Sequence, residues 1–217
     1  MQVKFGLAGL ALASGVAGYL LGGGGIMDAN SKEPRFPQLA IEQLTPAQRP
    51  LGDQILKISS VGLGGPYNPL LRSPVLGQNM FDLLKYLRWN SSLSPRLSEF
   101  TILMIARQWK SQVEWFAHAP LAAKAGVAAS AIADLKAGKR PGDMQPDEAA
   151  VYDFVSELTA QHAVADETYA RSKKSLSDQQ IVDVTALAGT YTTVAMMLAM
   201  AEETVPAGKE LPFKAAE

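Results

Sequence analysis

Apolar residues recur with the period of an α-helix along most of this chain. After Ser73-Pro74 and again after Asp147 the spacing is three or four residues. The apolar positions are Leu76, Met80, Leu83, Leu84 and Leu87 in the first segment, and Val151, Phe154, Val155 and Leu158 in the second. Thr45-Pro46, Ser73-Pro74 and Ser94-Pro95 each place an N-cap residue before a proline at the first helical position. No stretch alternates with the period of a strand, so the pattern predicts an all-α fold.

The longest helix is predicted between Ser177 and about Glu203. This segment contains Gly189 as its single glycine and no proline, and its apolar residues nearly encircle the helix axis. Such a helix is typical of the centre of a bundle or of a subunit interface. The apolar segment Val194–Met200 therefore favours a homo-oligomer.

The first thirty residues differ from the rest of the chain. Between Lys4 and Asp28 lie 23 uncharged residues, rich in Leu, Ala and Gly. One basic residue before an apolar run is typical of a secretory signal peptide, and the run is also long enough to span a bilayer as an uncleaved anchor. A disordered N-terminus is the third alternative. We expect a signal peptide or membrane anchor over 1–29, a linker over 30–42 and a helical domain over 43–217.

This organisation predicts an exported protein, periplasmic or secreted, or one anchored by its N-terminus. A cytoplasmic location is disfavoured, and contact with a membrane is expected only through an uncleaved N-terminal segment. The net charge is −1 and no basic stripe is present, so nucleic acid is not an expected partner. The chain has no cysteine, which excludes thiol nucleophiles, disulfides and thiolate metal sites.

The candidate chemistry lies between Glu99 and His118. His118 is one of two histidines and follows Glu114 by four residues, which puts both on one helix face. On one straight helix Glu99 and Glu114 would be about 22 Å apart, too far to share a site. The segment from Ser111 to Glu114 has the form of a capping box, which predicts a second helix that folds back toward Glu99.

Each of these residues also has a structural interpretation. Glu114 serves a helix start in the capping box, and His118 and Trp115 are of types often found in helical cores. Arg107 could neutralise a substrate carboxylate or pair with Glu99 or another acid. A metal site is not expected, because Glu-x-x-x-His lacks a third ligand. His162, near the end of an exposed helix, is not expected to be functional.

The spacing of this set resembles the carboxymuconolactone decarboxylase and AhpD-like family. Glu99 falls at the family's glutamate, Ser111 and Glu114 at the two cysteines of the AhpD peroxidases, and His118 at the histidine. Without those cysteines the thiol peroxidase cycle cannot run. Glu-Trp-x-x-His at 114–118 is instead similar to the decarboxylase branch. Further matching segments are Gly65-Pro66-Tyr67-Asn68-Pro69, Tyr86-Leu87-Arg88 and Leu97-Ser98-Glu99.

The resemblance implies an AhpD-like helical bundle that assembles as a trimer or as a hexamer of two trimers. It implies an enzyme without metal or organic cofactor that decarboxylates a small carboxylated or lactone substrate by proton transfer. His118 would act as acid or base, and Glu99 and Glu114 would orient it, raise its pKa or shuttle the proton. Candidate substrate-binding residues are Arg107, Trp115, Ser111, Tyr67 and Asn68.

Three alternatives stay open at this point. The same scaffold could carry a cofactor-free isomerase or a lactone hydrolase. An AhpD-like peroxidase is disfavoured by the missing cysteines. A non-catalytic exported helical binding protein would keep the residues without bringing them around one cavity.

Overall fold

The computed structural model describes residues 33–59 and 61–213. The signal peptide or anchor expected over 1–29 lies outside the described residues. Within the described ranges the regular structure is helical and no strand is present, which confirms the predicted all-α fold.

Nine α-helices follow a short 3₁₀-helix in the described part of the chain. The 3₁₀-helix covers Ile41–Gln43. The α-helices are α1 (Arg49–Leu56), α2 (Tyr67–Leu71), α3 (Pro74–Trp89), α4 (Pro95–Gln108), α5 (Gln112–Ala125), α6 (Ala129–Lys136), α7 (Pro146–Gln161), α8 (Asp166–Ser172) and α9 (Asp178–Ala201).

Helix α4 forms the centre of the bundle. Ten consecutive residues, Leu97–Ala106, are buried, so this helix contacts neighbours on all its sides. The helices packed against it are α5, α9, α7, α6 and α3. Ser94 begins α4 as predicted, since its hydroxyl accepts a hydrogen bond from the Leu97 amide at 3.2 Å. A carboxylate on α4 is consequently held by a rigid, buried element.

Helix α9 crosses the same core, as its sequence predicts. Ser177 caps it by accepting a hydrogen bond from the Gln180 amide at 3.2 Å. Within the described ranges it is the one helix long and apolar enough to cross a membrane by length and composition. Because its side toward α4 is buried, the same apolar composition is accounted for by a core helix.

The chain reverses between α4 and α5, at the place where the sequence predicts a break. Lys110 takes a left-handed conformation (φ 49°), the Ser111 amide bonds to the Ala106 carbonyl at 2.8 Å, and α5 begins at Gln112. The capping-box detail of the prediction is wrong, since the Ser111 side chain accepts no cap hydrogen bond. Glu114 lines a cavity instead, with both of its carboxyl oxygens buried.

Part of the expected linker lies against the helices. The Arg35 amide donates to the Ala201 carbonyl at 2.8 Å, and the Phe36 carbonyl accepts from the Asn68 side chain at 2.8 Å. Arg35 and Phe36 are thus fixed to the end of α9 and to α2.

Candidate active site

A cavity of about 450 Å³ opens between the α1–α2 segment and helices α3, α5 and α9. Most of the side chains that line it are apolar. The titratable side chains on its wall are Tyr67, Lys85, Arg88, Glu114, His118 and Tyr191. Because they come from four helices, the site exists only in the folded bundle.

Glu99 and His118 meet where α4 and α5 pack together. The Glu99 Oε2 atom lies 2.6 Å from His118 Nδ1, and both side chains are buried. The other carboxylate oxygen of Glu99 lies 3.6 Å from a guanidinium nitrogen of Arg88. The predicted approach of Glu99 to His118 is therefore present in the structure.

The His118 ring is fixed on a second side by Tyr191. The two rings are 5.2 Å apart between centroids, with an interplanar angle of 87°. This edge-to-face contact and the Glu99 hydrogen bond together define the orientation of the imidazole.

The pKa of His118 is lowered, contrary to the sequence expectation that carboxylates would raise it. Burial disfavours the imidazolium and is the largest effect, while Glu99 opposes it and Arg88 adds to it. His118 is consequently neutral at neutral pH. The single ring proton is then on Nδ1, which donates a hydrogen bond to Glu99. The Nε2 atom is left as an acceptor.

Glu114 behaves as a neutral acid. Its side chain is buried, and this burial raises its pKa to about 8, an effect that the nearby Ser111 hydroxyl only partly offsets. Neither carboxyl oxygen has a well-formed hydrogen bond within the described part of the structure. At neutral pH Glu114 is therefore a buried proton donor in the wall of the cavity, one turn of α5 before a histidine that accepts protons.

Two cations on α3 complete the site, and neither is among the site residues predicted from the sequence. Lys85 and Arg88 are three residues apart and both line the cavity. The Arg88 guanidinium lies over the Trp89 ring at 4.8 Å, and its buried Nε atom has no hydrogen-bond partner within the described residues. The one available signal was the Tyr86-Leu87-Arg88 match to the family, which does not by itself say where Arg88 points.

Tyr67 lies on the cavity wall, as predicted from the sequence. Tyr191, which was not predicted to be a site residue, also lies there. Burial raises the pKa of both hydroxyl groups above its usual value. Both tyrosines therefore stay protonated and can donate hydrogen bonds to an oxygen atom in the cavity.

Four of the five residues expected to bind substrate are not among those that line the cavity, namely Arg107, Trp115, Asn68 and Ser111. Arg107 stacks over Phe213, 5.4 Å from the ring centroid, and lines a different cavity of about 390 Å³ instead of pairing with Glu99. Trp115 is buried in the core against Phe213, and Asn68 bonds to Phe36 and to Glu203 at 2.7 Å.

Ser111 affects the site through Glu114, whose pKa its hydroxyl group lowers. The second histidine is not among the residues that line the cavity. His162 is exposed in a left-handed conformation after the last turn of α7. Within residues 33–59 and 61–213, no cluster of three or more His, Asp or Glu side chains is arranged to hold a metal ion.

No family model matches the chain, and no curated protein matches it in sequence. Solved structures do match in fold. An uncharacterized peroxidase-related protein from Ralstonia eutropha JMP134, described as an alkylhydroperoxidase AhpD core, superposes with a TM-score of 0.67 at 14% identity, over 80% of this chain and 93% of its own. An uncharacterized peroxidase-related protein from Silicibacter sp. TM1040 superposes with a TM-score of 0.65 at 13% identity, over 83% of this chain and 96% of its own. The chain therefore has the AhpD-like all-α fold that its sequence resemblance predicts.

Proposed function

We propose that the protein is a cofactor-free enzyme that removes CO₂ from a carboxylated lactone or related acid by proton transfer. One observation carries the proposal. A neutral His118, held by Glu99, and a protonated Glu114 line the same cavity. Acid–base catalysis usually requires two titratable groups, one that donates a proton and one that accepts a proton at the working pH.

The charges of the cavity favour an anionic substrate. Among the described residues that line it, Glu114 carries the only carboxyl group, and that group is neutral at neutral pH. Arg88 and Lys85 are cationic, and Glu99 offsets one of the two charges from behind His118. A carboxylate that enters the cavity therefore meets a net positive charge from Lys85 and from the partly exposed Arg88.

The reaction needs one proton at carbon. When the bond breaks between the carboxylate and a ring carbon that is α to the lactone carbonyl, or conjugated with it, CO₂ leaves and the electron pair moves into that carbonyl to give an enolate. The hydroxyl groups of Tyr67 and Tyr191 donate hydrogen bonds to the enolate oxygen. Glu114 then delivers its proton to carbon, and the lactone carbonyl is restored.

His118 restores the proton of Glu114. Its Nε2 atom takes a proton from solvent in the cavity and passes it to the Glu114 carboxylate. The imidazolium that forms between these two transfers is stabilised by Glu99 at 2.6 Å. Each turnover thus consumes one solvent proton and requires no oxidant or reductant.

The experiment supplies the purified full chain with γ-lactone carboxylic acids in D₂O. Released CO₂ and deuterium incorporated at carbon are measured by infrared and NMR spectroscopy. The matched variants are His118→Ala, Glu114→Gln and, as control, His162→Ala, which changes the exposed histidine outside the cavity.

We expect CO₂ release with deuterium at carbon, reduced about 10²–10⁴-fold in His118→Ala and Glu114→Gln and unchanged in His162→Ala. Turnover that survives in both site variants would contradict the mechanism. Conversion without CO₂ would replace decarboxylation by isomerisation or lactone hydrolysis on the same residues.

A further inference from the structure

The mouth of the cavity is apolar and open to solvent. Ile58, Val61, Trp89 and Leu121 all line the cavity, yet their exposed fractions are 44%, 50%, 52% and 38%. Single exposed apolar residues are ordinary, but several that converge on one concave site mark a surface used for binding. These four residues are called the apolar rim below.

Three polar groups of the cavity are buried, in contrast to the rim. Glu114, His118 and Tyr191 are 3%, 8% and 3% exposed, so the proton-transfer chemistry is placed deep in the bundle. A ligand that extends from these groups to solvent must pass the apolar rim. The cavity thus matches a molecule with one polar end and one hydrocarbon end.

Trp89 joins the two parts of the cavity. Its ring is exposed at the rim, while the Arg88 guanidinium lies over it at 4.8 Å. A carboxylate bound by Arg88 would consequently place the adjoining carbon atoms beside the indole. The arrangement selects for an acid whose neighbouring part is apolar.

The size of the cavity agrees with this selection. A volume of about 450 Å³ falls within the range of roughly 300–1,000 Å³ that is usual for sites of drug-sized ligands. A small, highly polar diacid would leave the apolar rim in contact with water. The rim is used fully only by a longer molecule.

We propose that the ligand of this cavity is an amphipathic carboxylic acid, with its carboxylate at Arg88 and a hydrocarbon chain or ring against the apolar rim. This proposal rests on the proposed function, in which the cavity is the substrate site, and it adds the chemical class of the substrate. Its test measures binding alone, so that it can fail or succeed separately from turnover.

The probes are straight-chain carboxylates from butanoate to dodecanoate and the matching primary alcohols. Binding to the full chain is measured by isothermal titration calorimetry at pH 7. We expect affinity for the carboxylates to rise with length by up to about fourfold for each methylene that reaches the rim. The alcohols are expected to show the same length dependence at lower affinity.

Three variants separate the two ends of the ligand. Trp89→Ala should flatten the dependence on chain length, and Arg88→Gln should weaken decanoate at least tenfold while it leaves decanol nearly unchanged. Trp109→Ala is the matched control, because Trp109 is also exposed (42%) but lies outside the cavity lining. Circular dichroism verifies that each variant is folded.

The proposal is overturned if affinity is independent of chain length, or if Trp109→Ala and Trp89→Ala have equal effects. It is also overturned if Trp89→Ala changes the mass of the particle in solution, since the rim would then be a contact between copies. Length-dependent binding without CO₂ release leaves the substrate class standing and removes the proposed reaction. Turnover of short lactone acids, with an affinity that does not depend on chain length, would leave the proposed reaction standing and remove the proposed substrate class.

Discussion

The Nδ1 atom of His118 lies 2.6 Å from the Oε2 atom of Glu99, and this contact determines which nitrogen can do chemistry. A neutral imidazole that donates from Nδ1 has its lone pair on Nε2. Glu99 itself is buried on α4, the most enclosed helix of the bundle, so it has little freedom to move away. Glu99 is thus a positioning residue, and His118 is the group that transfers protons.

The first prediction concerns the coupling of these two residues. His118→Ala should lower kcat by about 10²–10⁴-fold, and Glu99→Gln should lower it less, because glutamine can still accept from Nδ1 but cannot stabilise the imidazolium. The double variant should be no slower than His118→Ala alone, since Glu99 acts through the histidine. Steady-state kinetics of the three variants measure this, and additive losses would assign Glu99 an independent role.

The second prediction concerns the alkaline side of the pH–rate profile. Glu114 must carry its proton to act as an acid, and its pKa is raised to about 8 by burial. The rate should therefore fall as the pH rises through about 8, when Glu114 loses that proton. The residual rate of Glu114→Gln should lack this alkaline limb. If the variant keeps the limb, another group is responsible for it.

The third prediction concerns the protonation of His118. Burial lowers the pKa of His118 below the usual value of 6.5. The imidazole should therefore stay neutral at pH 6.5 and become charged only at lower pH, as nitrogen NMR of the ring measures. In Glu99→Gln this titration should move to still lower pH, because the carboxylate that favours the imidazolium is gone. A shift toward higher pH would contradict the assigned role of Glu99.

How much of this site was predictable depends on the kind of signal. The reversal at Ser111 follows from local sequence, since a helix-start pattern within an otherwise unbroken segment implies two helices. The family resemblance then predicts that Glu99 and His118 belong to one site. The all-α fold follows from a period of three to four residues with helix-start pairs, which are also local features.

Local sequence does not show which arginine lines the cavity. Arg107 lies on α4 with Glu99 and was therefore the nearer candidate in sequence, whereas Arg88 reaches the site from α3. Which helix faces the cavity is decided by packing between distant segments. The direction of the His118 pKa shift was missed for a related reason. Burial, which no short motif encodes, outweighs the neighbouring carboxylate.

The fourth prediction concerns stability against pH. The pKa of Glu114 is 4.5 in the unfolded chain and about 8 in the fold, so between these values the folded state binds more protons. The contribution of Glu114 to stability is then at its full value below pH 4.5 and declines until about pH 8. At about 1.4 kcal/mol per pH unit the upper limit of the decline is about 5 kcal/mol.

Glu114→Gln provides the matched comparison, because it keeps the shape of the side chain and does not titrate. Urea unfolding of both proteins should show that the variant gains stability over the parent chain as the pH is raised from 5 to 9. A difference that stays constant over this range would mean that Glu114 titrates normally in the folded protein.

The fifth prediction concerns the close approach of α3 to α2, which brings Arg88 and Tyr67 to one cavity. A Cβ atom on Gly77 would lie 2.5 Å from the Leu70 carbonyl oxygen and 2.7 Å from Leu51 Cδ2. Since the first of these is backbone, the helices must separate, and Gly77→Ala should destabilise the fold by about 1–3 kcal/mol. Urea unfolding at a fixed pH measures the change.

Gly142→Ala is the matched control for this substitution. No heavy atom lies within 4 Å of the added Cβ, and the Gly142 backbone does not require a positive φ. The change should be neutral or stabilise the protein by up to about 1 kcal/mol, because alanine restricts the unfolded chain more than glycine. Since Gly77 acts on the spacing of α2 and α3, its alanine variant should also bind decanoate more weakly than the Gly142 variant under conditions in which both are folded. Equal affinity would show that the cavity forms independently of that helix contact.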